Sequence, residues 1–291
     1  MKPIKSLVLS GGGVRTMSFI GALKKLQELK LLDTNTIENI ITVSAGSIIG
    51  LLLTLDFTYS EMVNETCKAN FEKFKDVKYA NFLYGYGLDS GEGLKKWTEY
   101  LMELKGFKKD TTFSELFIKT GKNLQVVTTN LNKYKLHVFD HISSPKMKVS
   151  LAIRMSIGIP FLFSAIVYND ETFVDAALID NFPMYLVKDK NNSFGIKANF
   201  DEISESNEKE QIKGLEQYAF HIFKCFWVNS KKNLDKKMEN VLEINSIENE
   251  NIDIVNFNIN INNRLKLIKH GYLQATNRFL QKSGTKKSKS V

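Results

Sequence analysis

The stretch that most constrains this chain is Ile40-Ile41-Thr42-Val43-Ser44-Ala45-Gly46-Ser47, followed at once by Ile48-Ile49-Gly50-Leu51-Leu52-Leu53. A β-branched run favours a strand. The small residues after it permit a sharp corner, and the apolar run beyond calls for burial as a helix. Strand, corner and buried helix belong together in an α/β sheet covered by helices. Ser44 stands at the corner. A hydroxyl there projects from the top of the sheet, and the helix N-terminus behind it favours developing negative charge. The pattern approaches G-x-S-x-G, with Thr42 in place of the first glycine. The same serine also suits a helix cap, and this segment alone leaves both readings open.

A second corner precedes it. Ser6 to Ser10 reads as a short strand, Gly11-Gly12-Gly13-Val14-Arg15 as a loop, and Met17 to Leu32 as a helix with Phe19, Ile20, Leu23, Leu26, Leu29 and Leu32 on one face. Glycines let backbone N–H groups turn toward a negative atom. The loop lacks the third glycine of a dinucleotide fingerprint and the Gly-Lys-Ser/Thr ending of a P-loop, which argues against a nucleotide-binding module. A serine nucleophile needs oxyanion donors and a base. The N–H groups of Gly12, Gly13 and Ala45 can serve as donors, and Arg15 can add positive charge. A tight turn and a salt bridge are the plainer roles for the same residues.

Further along, helices are expected over Ser60–Phe74 and Gly93–Leu104, with an aromatic, glycine-spaced loop, Tyr79 to Leu88, between them. Thr112 and Glu115 form a capping box. Strands are expected at Leu124–Thr129, Lys135–Phe139 and Phe194–Ala198, and a hairpin turns at Asn169-Asp170-Glu171. Val149 to Ile157 reads as a helix ended by Gly158 and Pro160, and Asp175-Ala176-Ala177 follows the hairpin's second strand. An acidic loop at 201–210, a helix at 212–228, late strands at 241–244 and 252–255 and a helix over Leu265–Leu280 complete the reading. No linker marks a boundary. We expect one α/β domain over residues 1–281, three-layered, with a mostly parallel central sheet between helices, and a basic Ser/Lys-rich disordered tail over 282–291.

Composition narrows the function classes. The net charge is +8, carried almost wholly by lysine, with arginine only at positions 15, 154, 264 and 278. Sequence-specific nucleic-acid readers favour arginine forks, so no such partner is expected. Cys67 and Cys225 are far apart and show no metal-ligand spacing. No segment reaches the roughly 20 apolar residues of a membrane span. A cytoplasmic location is expected, with peripheral attachment to anionic membranes permitted by the charge. The histidines are His137, His141, His221 and His270. Ser44, Asp175 and His221 or His270 follow the chain order of an α/β-hydrolase, but a corner at residue 44 leaves room for only two strands before it.

Four linked segments resemble the patatin-like phospholipase family. The family's G-G-G-x-R-[GK] loop corresponds to Gly11-Gly12-Gly13-Val14-Arg15-Thr16. Its G-x-S-x-G corresponds to Thr42-Val43-Ser44-Ala45-Gly46. Its A-x-R-A-S-x-x-x-P helix corresponds to Ala152 through Pro160, and its D-G-[GA] to Asp175-Ala176-Ala177, followed by Asp180-Asn181-Phe182-Pro183. The resemblance implies a Ser–Asp dyad without a catalytic histidine: Ser44 as nucleophile, Asp175 as general base, and Gly11, Gly12, Gly13, Arg15 and Ala45 at the oxyanion and substrate. It implies a lipid acyl hydrolase of phospholipase A type acting at a membrane surface, with no metal and no cofactor, and it leaves a protein activator and the oligomeric state open. Thr42, Thr16 and Ala176 depart from the family pattern. A lipid-binding relative weakened or inactivated by Thr42 is the alternative.

Overall fold

Ser44 is positioned by a mixed sheet, seen in a computed structural model that describes residues 3–199, 214, 218, 221–222, 240–247 and 259–285. The eight strands are β1 (Ser6–Leu9), β2 (Asn39–Val43), β4 (Asn123–Asn130), β5 (Lys135–Phe139), β7 (Ile166–Tyr168), β8 (Glu171–Asp175), β9 (Ser193–Ala198) and β10 (Val241–Ile244), in the order β10-β9-β1-β2-β4-β8-β7 with β5 also on β4. The β10 to β4 half is parallel, and β5, β7 and β8 pair antiparallel. A separate parallel pair joins β3 (Gly87–Asp89) and β6 (Phe161–Phe163).

The parallel strands are buried along most of their length because both faces are covered. Leu7, Val8, Leu9, Ile40, Ile41 and Val126 have almost no exposed surface. Helices lie on both sides in one domain. They are α1 (Met17–Glu28), α2 (Gly46–Thr54), α3 (Tyr59–Lys68), α4 (Tyr79–Gly85), α5 (Glu92–Leu104), α6 (Phe113–Thr120), α7 (Val149–Ser156) and α8 (Ile261–Thr285). The capping boxes of α3 (Thr58 with Glu61) and α6 (Thr112 with Glu115) are both formed.

The register of β4 does the positioning. Val127 pairs with Val43 of β2 and with Val138 of β5, so these two strands lie on opposite edges. Thr128 pairs with His137 of β5 and with Asp175 of β8. β2 and β8 therefore share one edge of β4. They run toward each other and end at consecutive β4 residues. The corner after Val43 and the end of β8 at Asp175 meet head to head.

Several expectations differ from the structure. The helix expected over Ser60–Phe74 stops at Lys68 and resumes as a 3-10 turn over Phe71–Phe74. The carbonyls of Thr66, Cys67 and Ala69 are taken by the Arg264 guanidinium from α8, which ends α3 there. The loop expected at Tyr79–Leu88 contains α4 and most of β3. Arg154, buried in α7, donates to the carbonyls of both Ser90 and Ser164 and so clips the ends of β3 and β6 together. Both causes are remote in sequence. Helix α8 starts earlier than expected and runs through Thr285, into the expected tail, whose remainder lies outside the described residues. So do the acidic loop at 201–210, most of the helix expected at 212–228 and the strand at 252–255.

Candidate active site

The corner is backbone-strained. Ser44 has φ +51°, in the left-handed region that costs most L-residues about 1–2 kcal/mol. Close approach of β1 and α2 holds it there. A Cβ on Gly46 would sit 2.3 Å from the Ser10 carbonyl oxygen, so only glycine fits. Ser44 does not cap α2: that helix has no side-chain cap at its N-terminus. Its Oγ donates instead to Asp175 Oδ2 at 2.6 Å. The other carboxylate oxygen, Oδ1, accepts from Ala177 N–H at 2.8 Å.

Asp175 is 1% exposed. Burial penalises its charged form and pushes the carboxyl up to about 7, while the bonds from Ser44 and Ala177 pull the other way. A carboxylate with that affinity for protons can exchange one with a hydroxyl near neutral pH.

The three departures from the family pattern are absorbed locally. Thr42 is fully buried and donates from Oγ1 to the Gln125 carbonyl at 3.0 Å. Its methyl faces Gly50 of α2, where a Cβ would lie 2.4 Å from Thr42 Cγ2. Thr16 donates to the Gly13 carbonyl at 2.8 Å and ties down the glycine loop. Ala176 opens a 3-10 turn over Ala176–Leu178, where no glycine is needed.

Two supports escaped assignment from sequence, although both lie inside the segments quoted above. Ser156 Oγ accepts from Ser44 N–H at 2.8 Å and donates to the Val127 carbonyl at 2.7 Å, locking the corner to β4. Asn181 accepts from Gly11 N–H at 3.1 Å and donates to the Gly11 carbonyl at 3.3 Å, fixing the start of the glycine loop. Gly11 is thus a structural anchor. Gly13 has φ +52°, and the N–H groups of Gly12, Gly13 and Ala45 have no acceptor among the described residues. Arg15 lies elsewhere in emphasis: its guanidinium donates to Ser246 Oγ at 2.7 Å, on the β10 side of the sheet.

Gly13 and Ala45 also line a small apolar slot, completed by Ile48, Ile49, Ile157 and Trp97. The histidines with described contacts are engaged away from Ser44. His137 packs on Phe139 and Phe173, and burial lowers its basicity. His141 stacks on Phe117 and bonds Asn123, and His270 bonds the Asn245 carbonyl. Among the described residues no helix is long and apolar enough to cross a membrane.

Fold and site together define a class of α/β protein with a serine on a strained strand-to-helix corner against a buried carboxylate. The chain belongs to the patatin-like phospholipase family, whose model matches residues 7–188, and this supports lipid hydrolase activity. It is 30% identical over 285 residues to the uncharacterized protein R571 of Acanthamoeba polyphaga mimivirus, covering 92% of this chain and 91% of that one. It is 34% identical over 188 residues to "Probable lipid hydrolase 463L" of Invertebrate iridescent virus 6, covering 63% of each. Among solved structures, VipD of Legionella pneumophila aligns with a TM-score of 0.55 at 16% identity, over 94% of this chain and 66% of that one. The type III effector ExoU of Pseudomonas aeruginosa aligns with a TM-score of 0.55 at 13% identity, over 96% of this chain and 53% of that one. This chain therefore spans only about half of ExoU, and these two likenesses concern the fold.

Proposed function

We propose that the protein is a lipid acyl hydrolase of phospholipase A type, in which Ser44 is the nucleophile and Asp175 the general base. The carrying observation is the 2.6 Å bond from Ser44 Oγ to a carboxylate that burial has made unusually basic. Asp175 Oδ2 takes the Ser44 proton as Oγ attacks the acyl carbonyl. The N–H groups of Gly12, Gly13 and Ala45 stabilise the resulting oxyanion, aided by the N-terminus of α2. The tetrahedral intermediate expels the alcohol, which leaves with the proton from Asp175. Asp175 then activates a water, whose attack frees Ser44 and releases the carboxylic acid. The apolar slot takes the start of the acyl chain. The lysine-rich surface supports peripheral docking on anionic lipid.

The alternative of a lipid-binding relative disabled by Thr42 is disfavoured by Gly50, which gives the threonine methyl its space. The deciding experiment is reaction with an acyl-directed fluorophosphonate, mass mapping of the adduct, and hydrolysis of a short-chain acyl ester by the same preparation. An adduct on Ser44 with hydrolysis supports the proposal. An adduct on Ser47, or binding of lipid without adduct or hydrolysis, overturns it.

A further inference from the structure

The apolar slot is too short for a lipid chain as it stands. Its volume is about 30 Å³, room for the first carbons of an acyl chain and far less than a long chain fills. Beyond it lies an open groove of about 600 Å³ between α3 and α5, with Lys68, Lys73 and Lys96 among its lining residues. The residue these two cavities have in common is Trp97. Its indole is a partition. It is 7% exposed, meets the edge of Phe71 with ring centroids 5.3 Å apart, and stacks on Phe74 at 6.0 Å.

The partition is braced from far away in sequence. The Arg264 guanidinium lies 4.9 Å from the centre of the Phe71 ring. The same group donates to the carbonyls of Thr66, Cys67, Ala69 and Ile259, and Arg264 is 6% exposed. Phe71 cannot shift without disturbing this buried set. Arg264 lies outside the segment that the family model matches.

We propose that Trp97 is an acyl-chain gate. Short acyl groups enter the slot with the indole in place. Long chains are admitted when the indole swings into the groove, which is large enough to receive it, and the chain takes the vacated space. Phe71 and Arg264 act as positioning residues that set how readily the gate opens. This inference rests on the reading of Ser44 as the nucleophile of an acyl hydrolase. Two aromatic contacts are given up on opening, so discrimination against long chains is on the order of tenfold or more.

The test measures kcat/KM for nitrophenyl butyrate and nitrophenyl palmitate, both in the same detergent micelles, with the full chain. Trp97→Ala raises the palmitate-to-butyrate ratio about tenfold. Arg264→Leu moves the ratio in the same direction by less, whereas a purely structural role lowers both rates alike. Removing a buried indole can unfold a domain, so Trp97→Phe, which keeps a smaller ring, is measured too and gives an intermediate ratio. An unchanged ratio in a Trp97 variant that melts as the wild type does overturns the gate. A separate arm compares palmitate and butyrate binding by calorimetry in Ser44→Ala with and without Trp97→Ala. A selective gain for palmitate supports the gate and equal affinities overturn it. This arm stays informative if the wild type neither hydrolyses esters nor reacts with fluorophosphonate, the result that would sink the catalytic reading instead.

Discussion

Replacing Gly50 with alanine would place a Cβ 2.4 Å from Thr42 Cγ2, 3.2 Å from Ile40 Cγ2 and 3.3 Å from Leu124 Cδ1. Optimal carbon–carbon separation is about 3.5–4.0 Å, so the first contact is roughly 1 Å too close. Thr42 cannot turn away, because its Oγ1 is bonded to the Gln125 carbonyl in the middle of the sheet. Helix α2 must move outward instead, carrying the corner and the Ala45 N–H with it. Overpacking costs about 1–3 kcal/mol, against which the better helix propensity of alanine returns about 1 kcal/mol. Net stability therefore falls by about 0–2 kcal/mol, and the fold persists. Activity is far more sensitive: a displacement of about 1 Å lowers the rate about 100-fold. Thr42→Gly on its own removes a hydrogen bond and loosens β2, with a smaller loss. Combined with Gly50→Ala it removes the clash, and the double variant regains most of what Gly50→Ala lost. The assay is the rate of fluorophosphonate labelling with parallel ester hydrolysis and thermal melts, read as a double-mutant cycle. Additive effects of the two substitutions, or a fully active Gly50→Ala, would refute the coupling.

Ser44→Ala abolishes hydrolysis and labelling while circular dichroism stays native, and labelling that persists at Ser47 would refute the assignment. Asp175→Asn keeps the shape, removes the base and lowers turnover about 100-fold or more in steady-state kinetics. With the Asp175 carboxyl at about 7, the wild-type labelling rate rises as pH passes through about 7, and a pH-independent rate refutes the dyad. The sign for stability is opposite. A carboxyl whose affinity for protons is raised by folding stabilises fully below its unfolded value of 3.8, and that contribution is lost as pH climbs toward 7. Asp175→Asn does not titrate, so its melting temperature gains on the wild type between about pH 4 and pH 8. Glutamine at His137, His141, His221 or His270 leaves most of the activity in well-folded protein, whereas a Ser–His–Asp enzyme loses several orders of magnitude at one of them.

The parts of the site that depend on local chemistry were legible in the sequence. The β-branched run before Ser44, the glycines at 11–13 and the apolar α2 each announce their own element. The capping box at Thr112 works within four residues and leaves a readable mark, whereas the box formed at Thr58 lies two residues before the helix start expected from the sequence. What the sequence hid depends on contacts between distant segments. Nothing near Lys68 says that Arg264 will end the helix there, and nothing near Tyr86 says that Arg154 will clip β3 to β6. Ser156 and Asn181 were visible as members of a motif, but their roles need the third dimension. Thr42 is the sharpest case. Judged against a sequence pattern it is a defect, and beside Gly50 it is a fitted pair.

The head-to-head meeting of β2 and β8 on β4 also has a consequence for synthesis. The chain emerges with Ser44 and the glycine loop first, while Asp175 and Asn181 follow more than a hundred residues later. Pairing so distant in sequence is slow to form and waits on the intervening strands. A nascent or truncated chain ending before β8 carries Ser44 without its carboxylate partner and Gly11 without its anchor. The order of the strands thus acts as a delay, keeping the proposed hydrolase silent until the sheet that holds its site is built.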